Sequence, residues 1–167
     1  MKQIYDQHLW GGKDHDFYSG EGSHKVQIVK PYIDCVTAFL QSHENSLTVS
    51  DLGCGDFNIG RQLCDLTESY AACDISETIL AINRQKFDIK NVHFRSFDLV
   101  CDDLLPADVC FVRQVLQHLS NADIKSFVDR LNAESPYKYL VITEHVSADH
   151  QAATNLDKPT GPGIRVE

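Results

Sequence analysis

Along the chain, short continuous apolar runs alternate with stretches whose apolar residues recur at helical spacing. From Leu47, Thr48 and Val49 a β-prone run leads to Asp51 and Leu52, breaks at Gly53-Cys54-Gly55, and gives way to spacing through Ile59 and Leu63 that predicts an amphipathic helix. Ahead of it, Val26, Val29, Ile33, Val36, Phe39 and Leu40 predict a helix over His24–Ser42 lying on a sheet, with Pro31 marking a kink or a late start. Behind it, strands are predicted over Ser69–Asp74, Asn91–Phe97, Ala107–Val112 and Tyr137–Thr143. Helices are predicted from a Ser76 cap to Phe87, with Ile79, Leu80 and Ile82 inward, and over Ser120–Ala133, with Ile124, Phe127, Val128 and Leu131 on one face. No period is visible before residue 25, and after Val146 only a nascent strand over Ile164–Val166 is expected.

Strands and helices alternate, and the strands read as continuous apolar runs. That pattern belongs to an α/β Rossmann-like fold: a doubly wound, mostly parallel sheet flanked by helices on both faces. In such sheets ligands sit outside the carboxyl ends of the strands, beside the first one. Asp51, Asp74, Asp98, Gln114 and Glu144 all fall at or just past those ends. The expected organisation is an N-terminal arm or lid (1–24), a cofactor-binding core (25–146) and a C-terminal tail (147–167).

Composition narrows the picture. Fifteen basic residues against 24 acidic ones leave a net charge of −9, so no overall basic field exists to hold a nucleic-acid backbone. The six cysteines form no CxxC pair and read as buried reduced thiols, and no metal site is expected. His8, His15 and His24 lack ligand spacing and read as surface residues. With no signal-like start and no run long enough to span a bilayer, a soluble cytoplasmic protein is expected. Trp10, Phe17 and Tyr18 read either as part of a lid hinged at the glycines around Glu21 or as core anchors of the arm. Asp102 and Asp103 read as a solvated turn.

The glycine turn discriminates between cofactors. Two glycines let a backbone approach a ligand closely, and the helix expected to follow would aim free N–H groups at it. Asp51 beside the turn suits a cationic amine better than a pyrophosphate. A dinucleotide fingerprint would need a third glycine at position 58, where Asn58 stands. The stronger signal is Asp51-x-Gly53-x-Gly55 followed by Asp74 and Asp98 at successive strand ends. Asp56 reads as either a helix cap or a cofactor contact.

With those residues in place, the chain resembles the class I S-adenosylmethionine-dependent methyltransferases, from the first helix to the fifth strand. Within them it is most similar to a group carrying the phrase Cys54-Gly55-Asp56-Phe57-Asn58. The resemblance implies that Gly53, Cys54 and Gly55 pass the methionine moiety, with Asp51 supporting its amino group. It implies that Asp74 binds the ribose hydroxyls, that Ile75 packs on the adenine, and that Asp98, with Leu99 beside it, receives the adenine amino group. It also implies that Val112–Leu119, including Gln114, borders the methyl-transfer position. S-adenosylmethionine is then the cofactor and S-adenosylhomocysteine the product, with an unidentified small molecule as acceptor. His118 and Glu144 are the candidate general bases, although His118 reads more readily as a packing or capping residue and only one of Glu144 and His145 is expected to face a substrate. Family sheets close with two further strands, which the resemblance does not find here; either the chain is a truncated form, with the tail as the start of those strands, or its open edge is expected to be covered by the arm or by a second copy. The competing functions are a non-catalytic cofactor-binding module and, less well supported, an NAD-dependent oxidoreductase.

Overall fold

The computed structural model describes residues 19–134, 136–145 and 156–164. Five strands, β1 (Thr48–Leu52), β2 (Ser69–Asp74), β3 (Val92–Ser96), β4 (Val109–Arg113) and β5 (Tyr139–Thr143), form one sheet in the order β3-β2-β1-β4-β5. Every neighbouring pair is parallel. The direction of winding reverses between β1 and β4, which opens the crevice at their carboxyl ends.

The apolar runs are continuous because the inner strands are covered twice. Val49, Tyr70, Ala72, Val109 and Phe111 belong to one buried layer, packed with Val36 and Leu40 of α1 (Val26–Gln41) and with Ile79 and Leu80 of α2 (Glu77–Lys86). The alternate residues Leu52, Cys73, Cys110 and Val112 belong to the other, packed with Phe127 of α3 (Asn121–Glu134). Neither layer could form unless both faces of the central strands were apolar. At the amino end of the sheet Asp108 ties three strands: its Oδ2 accepts the Thr48 N–H and hydroxyl at 2.9 and 2.8 Å, and its Oδ1 accepts Lys138 Nζ at 2.7 Å. These donors hold the Asp108 carboxyl down at about 2.

Several expectations change. No α-helix follows β1; two short 3₁₀ turns, Gly60–Gln62 and Cys64–Leu66, stand in its place. Phe57 is left-handed (φ 62°) with its ring fully buried, Asn58 N–H bonds the Asp56 side chain, and Gly60 is a poor helix former, so the backbone turns before a helix can nucleate. The idea of a long helix aiming free N–H groups at a ligand therefore falls. Helix α1 continues through Pro31, but Val26 lies outward, 67% exposed. Val128 also lies outward, while Ile124 and Leu131 pack on the core. Ser76 occupies the N-cap of α2 with extended backbone, yet its buried hydroxyl makes no capping bond. Four cysteines are buried as expected, but Cys35 and Cys101 are on the surface. Residues 156–164 contain no strand, and the arm before Ser19 and residues 165–167 lie outside the described residues. Beyond β5 no strand pairs among the described residues, and Tyr139, Leu140 and Ile142 are exposed along it.

Candidate functional site

The turn after β1 is hooked onto the end of β2. The N–H groups of Gly53 and Cys54 both donate to the Cys73 carbonyl at 2.8 Å, a geometry that needs φ 101° at Gly53 and φ 54° at Gly55. A Cβ at Gly53 would come within 2.3 Å of Val115 Cγ2, so the glycine also permits the segment after β4 to close against the turn. The Asp74 carboxylate completes the hook: Oδ2 accepts the Gly55 N–H at 3.0 Å and Oδ1 the Ser76 N–H at 2.9 Å. Burial raises the Asp74 carboxyl and these N–H bonds oppose the rise. The Ile75 N–H also lowers this carboxyl, and since a carboxylate can accept about four hydrogen bonds, an acceptor direction remains.

That direction matters because Asp74 lines a cavity of about 110 Å³ together with Leu52, Gly53, Ile75, Phe97, Asp98, Leu99, Val100, Val115, Leu119 and Thr160. Its walls are apolar apart from two acids, a threonine and exposed backbone. Of the residues singled out from sequence, Gly53, Asp74, Ile75, Asp98 and Leu99 meet here.

Val115 and Leu119 of the segment after β4 also line it, and the other candidate site residues do not. Asp51 is buried beneath the turn, where its Oδ2 accepts the Tyr70 hydroxyl at 2.9 Å. Burial pushes its carboxyl up to about 7, with the Tyr70 bond opposing and the Asp74 charge adding to the rise. Cys54 belongs to the core, and burial raises its thiol well above the usual range. Gly55 shapes the loop through backbone bonds, its carbonyl accepting Asn83 Nδ2 at 2.7 Å.

At the end of β4, Gln114 is left-handed (φ 56°), with its N–H on the Thr143 carbonyl and its side-chain Nε2 3.3 Å from His145 Nε2. The two candidate bases are tied up locally. Glu144 Oε1 accepts the N–H groups of Val115 and Leu116 at 3.0 and 2.8 Å, and Oε2 that of Gln117 at 3.3 Å. Burial raises its carboxyl and the three N–H groups pull it back. His118 is 1% exposed, with Nδ1 3.2 Å from the Gly163 carbonyl, and burial lowers its pKa to about 4. A histidine so placed braces the segment after β4 against residues 157–163.

No α-helix follows Asp56 for it to cap, and it does not line the cavity. It accepts the Ser19 N–H at 3.0 Å and lies 2.6 Å from His24 Nε2, while its own N–H donates to Ser19 Oγ at 2.7 Å. Asn58 Nδ2 donates to the Ser23 carbonyl, and from the other side of the crevice Arg113 donates to the Gly22 carbonyl and Ser23 hydroxyl at 2.5 and 3.2 Å. Segment 19–24 is thereby strapped across the gap between β1 and β4. Thr160 was likewise unforeseen. Its hydroxyl accepts the Ser120 N–H at 2.7 Å and donates to Asp123, so a residue forty positions downstream both ties down the start of α3 and walls the cavity.

Among the described residues no helix is long and apolar enough to cross a membrane, and no group of three or more His, Cys, Asp or Glu is placed to hold a metal. The sequence profile of a family described as "Methyltransferase domain" matches residues 50–133, half of the chain and the part that carries the turn, both acids and the segment after β4. The chain belongs to this methyltransferase-domain family. The match is to the family as a whole and does not reach the narrower group marked by Cys54–Asn58. No curated protein sequence matches the chain.

Solved structures share the family's fold. The methyltransferase domain of bacterial CtHen1-CN superposes with a TM-score of 0.59 at 22% identity, over 68% of this chain and 64% of that one. CalS10 with bound S-adenosylmethionine, an amino pentose methyltransferase from Micromonospora echinaspora, gives 0.58 at 15% identity, over 71% and 52%. Magnesium protoporphyrin IX methyltransferase from Synechocystis PCC 6803 with bound S-adenosylhomocysteine gives 0.52 at 24%, over 62% and 50%. The chain thus spans a little under two thirds of the first two solved domains and about half of the others named here.

Proposed function

We propose that this chain binds S-adenosylmethionine across the mouth of the sheet and transfers its methyl group to a small-molecule acceptor. The observation that carries the reading is the meeting of Gly53, Asp74, Ile75, Asp98 and Leu99 in one cavity. Fold-mates crystallised with S-adenosylmethionine or S-adenosylhomocysteine add weight to it. The residues suit the group. Asp74 lines the cavity with acceptor capacity left beyond its backbone bonds, which suits a ribose hydroxyl. Ile75, Phe97 and Leu99 offer an apolar slot for a flat base, with Asp98 beside it as acceptor for an exocyclic amine. The cavity is small beside the roughly 300–1,000 Å³ of pockets that enclose a whole ligand, so it would take one end and leave the remainder to the open crevice.

When bound, the cofactor supplies a sulfonium methyl open to in-line displacement. The chain's contribution is then positioning and exclusion of water. Asp74 and Asp98 fix the nucleoside, the turn at Gly53 lets the backbone run close beside it, and strap 19–24 with Arg113 covers the mouth. Asp51, kept near neutrality by burial, would ionise on meeting a cationic amine, which favours the charged carboxylate.

One observation favours a second reading, a binding module without turnover: both bases suggested by the sequence are occupied as braces. Titration calorimetry with S-adenosylmethionine, S-adenosylhomocysteine and NAD tests the shared part. Binding of the first two and not of NAD is expected, and no binding of either would overturn both readings. Labelled methyl donor with a metabolite pool then separates transferase from module.

A further inference from the structure

Arg130, on the third turn of α3, does not line the cavity, yet its two terminal nitrogens donate to the carbonyls of Leu99 and Asp102. Those carbonyls belong to the turn that carries Asp98, Leu99 and Val100 into the cavity wall. Leu99 and Val100 pack on the core, but among the described residues the turn's other hydrogen bonds are internal. Val100 N–H bonds Asp98 Oδ1 at 2.9 Å, Asp98 N–H bonds Asp102 Oδ2 at 2.7 Å, and the N–H groups of Cys101 and Asp102 bond the Asp98 carbonyl at 3.2 and 2.9 Å. All these bonds would survive a rigid tilt of the whole turn about its flanks. The guanidinium supplies what they lack, a two-point anchor to a helix packed on the sheet, and its planar fork suits two carbonyls at once.

The same helix anchors the facing wall. At its first turn the Asn121 N–H is bonded to Asp157 Oδ1 at 2.8 Å and the Ser120 N–H to Thr160, the residue that lines the cavity from the strap of residues 157–163. Helix α3 is therefore a common strut, with the base-facing turn pinned to its middle and the opposite wall pinned to its start. We infer that Arg130 is a positioning residue that sets the distance between the Asp98–Val100 turn and the rest of the cavity, and with it the selectivity for the nucleobase. The inference rests on the donor-binding reading above.

Arg130→Met removes the fork and Arg130→Lys leaves a single-point cation. Two readouts are needed on the full chain. Without ligand, amide exchange in residues 99–102 is expected to quicken about tenfold in Arg130→Met, the scale of one lost hydrogen bond, while β1 and β2 amides stay unchanged. With ligand, calorimetry compares S-adenosylhomocysteine with its analogue bearing a carbonyl oxygen in place of the adenine amino group. The wild type is expected to prefer the adenine form at least about tenfold, and Arg130→Met to lose most of that preference, with Arg130→Lys between. Unchanged exchange, or equal weakening of both ligands, would overturn the inference, since a merely structural arginine leaves the ratio alone. Should Arg130→Met not fold, Arg130→Lys is judged by the same two readouts. A wild type that binds neither nucleoside overturns the donor reading instead, and the exchange result then decides the clamp.

Discussion

The two halves of the sheet mouth use similar side chains in opposite ways. On the β1–β2–β3 side, Asp74 and Asp98 make local backbone bonds and still face a cavity. On the β4–β5 side, Glu144 accepts three N–H groups, His118 meets the Gly163 carbonyl and Arg113 grips Gly22 and Ser23. The cause lies in the backbone. After β2 the chain enters α2 and needs little outside help, whereas after β4 it makes a left-handed corner at Gln114 and a single 3₁₀ turn at Leu116–His118. A turn so short leaves most of its N–H groups without an internal partner, and neighbouring side chains supply them. An ionisable residue at a strand end thus faces a cavity on one side and is a bracket on the other.

That contrast can be broken most forcefully at Glu144. Glu144→Ala leaves three N–H groups without their acceptor, and a loss of about 4 kcal/mol in unfolding free energy is expected by denaturant titration. A folded variant of unchanged stability that had lost only donor affinity would reverse the assignment of the two sides.

Asp51 comes next. Its folded pKa, about 7, lies above the unfolded carboxylate value, so the folded state holds a proton that the unfolded chain releases. Its stabilising contribution is full at pH 4 and below and is lost as the pH rises through 7. Asp51→Asn should abolish that slope and gain on the order of 3 kcal/mol over wild type at pH 8, read from urea midpoints across the range. Parallel curves for the two proteins would remove Asp51 as the titrating group.

Asp74→Asn is a sharper probe than alanine, because alanine would also release the Gly55 and Ser76 N–H groups. The asparagine keeps one acceptor and is expected to fold normally while binding S-adenosylhomocysteine about 30-fold more weakly by calorimetry, roughly 2 kcal/mol. Unchanged affinity would take Asp74 out of the ribose role. The smallest effect is expected at Thr160, where Thr160→Val deletes the hydroxyl that accepts the Ser120 N–H and should cost about 1 kcal/mol by thermal melt.

Much of this was legible beforehand, and the residues show why. Strand β2 and its closing acid match their expected bounds, because a run of apolar residues ended by Asp74 and a serine cap is a local pattern. The spacing after β1 suggests a helix because Ile59 and Leu63, which flank the first of the two 3₁₀ turns, do face inward; what prevents the helix is Phe57 in a left-handed conformation, which no spacing reveals. Asp56, Arg113, Arg130 and Thr160 were missed in their actual roles for another reason. Each acts on a partner about thirty to ninety positions away, and only the closed sheet brings such partners together. The burial that makes His118 a brace was open in the sequence only as one of two readings.

Phe57 has one more implication. Its ring meets Tyr70, Phe87 and Phe94 edge-on at 5.7, 5.3 and 5.0 Å, while any side chain at Gly60 would strike it at 2.3 Å. Tyr70 in turn carries the hydroxyl that holds Asp51. The turn after β1 and the interior are therefore not separable modules for laboratory evolution: a library that varies the turn while freezing these aromatics samples mostly unfolded variants. Productive diversity would come from changing positions 57, 60 and 70 together.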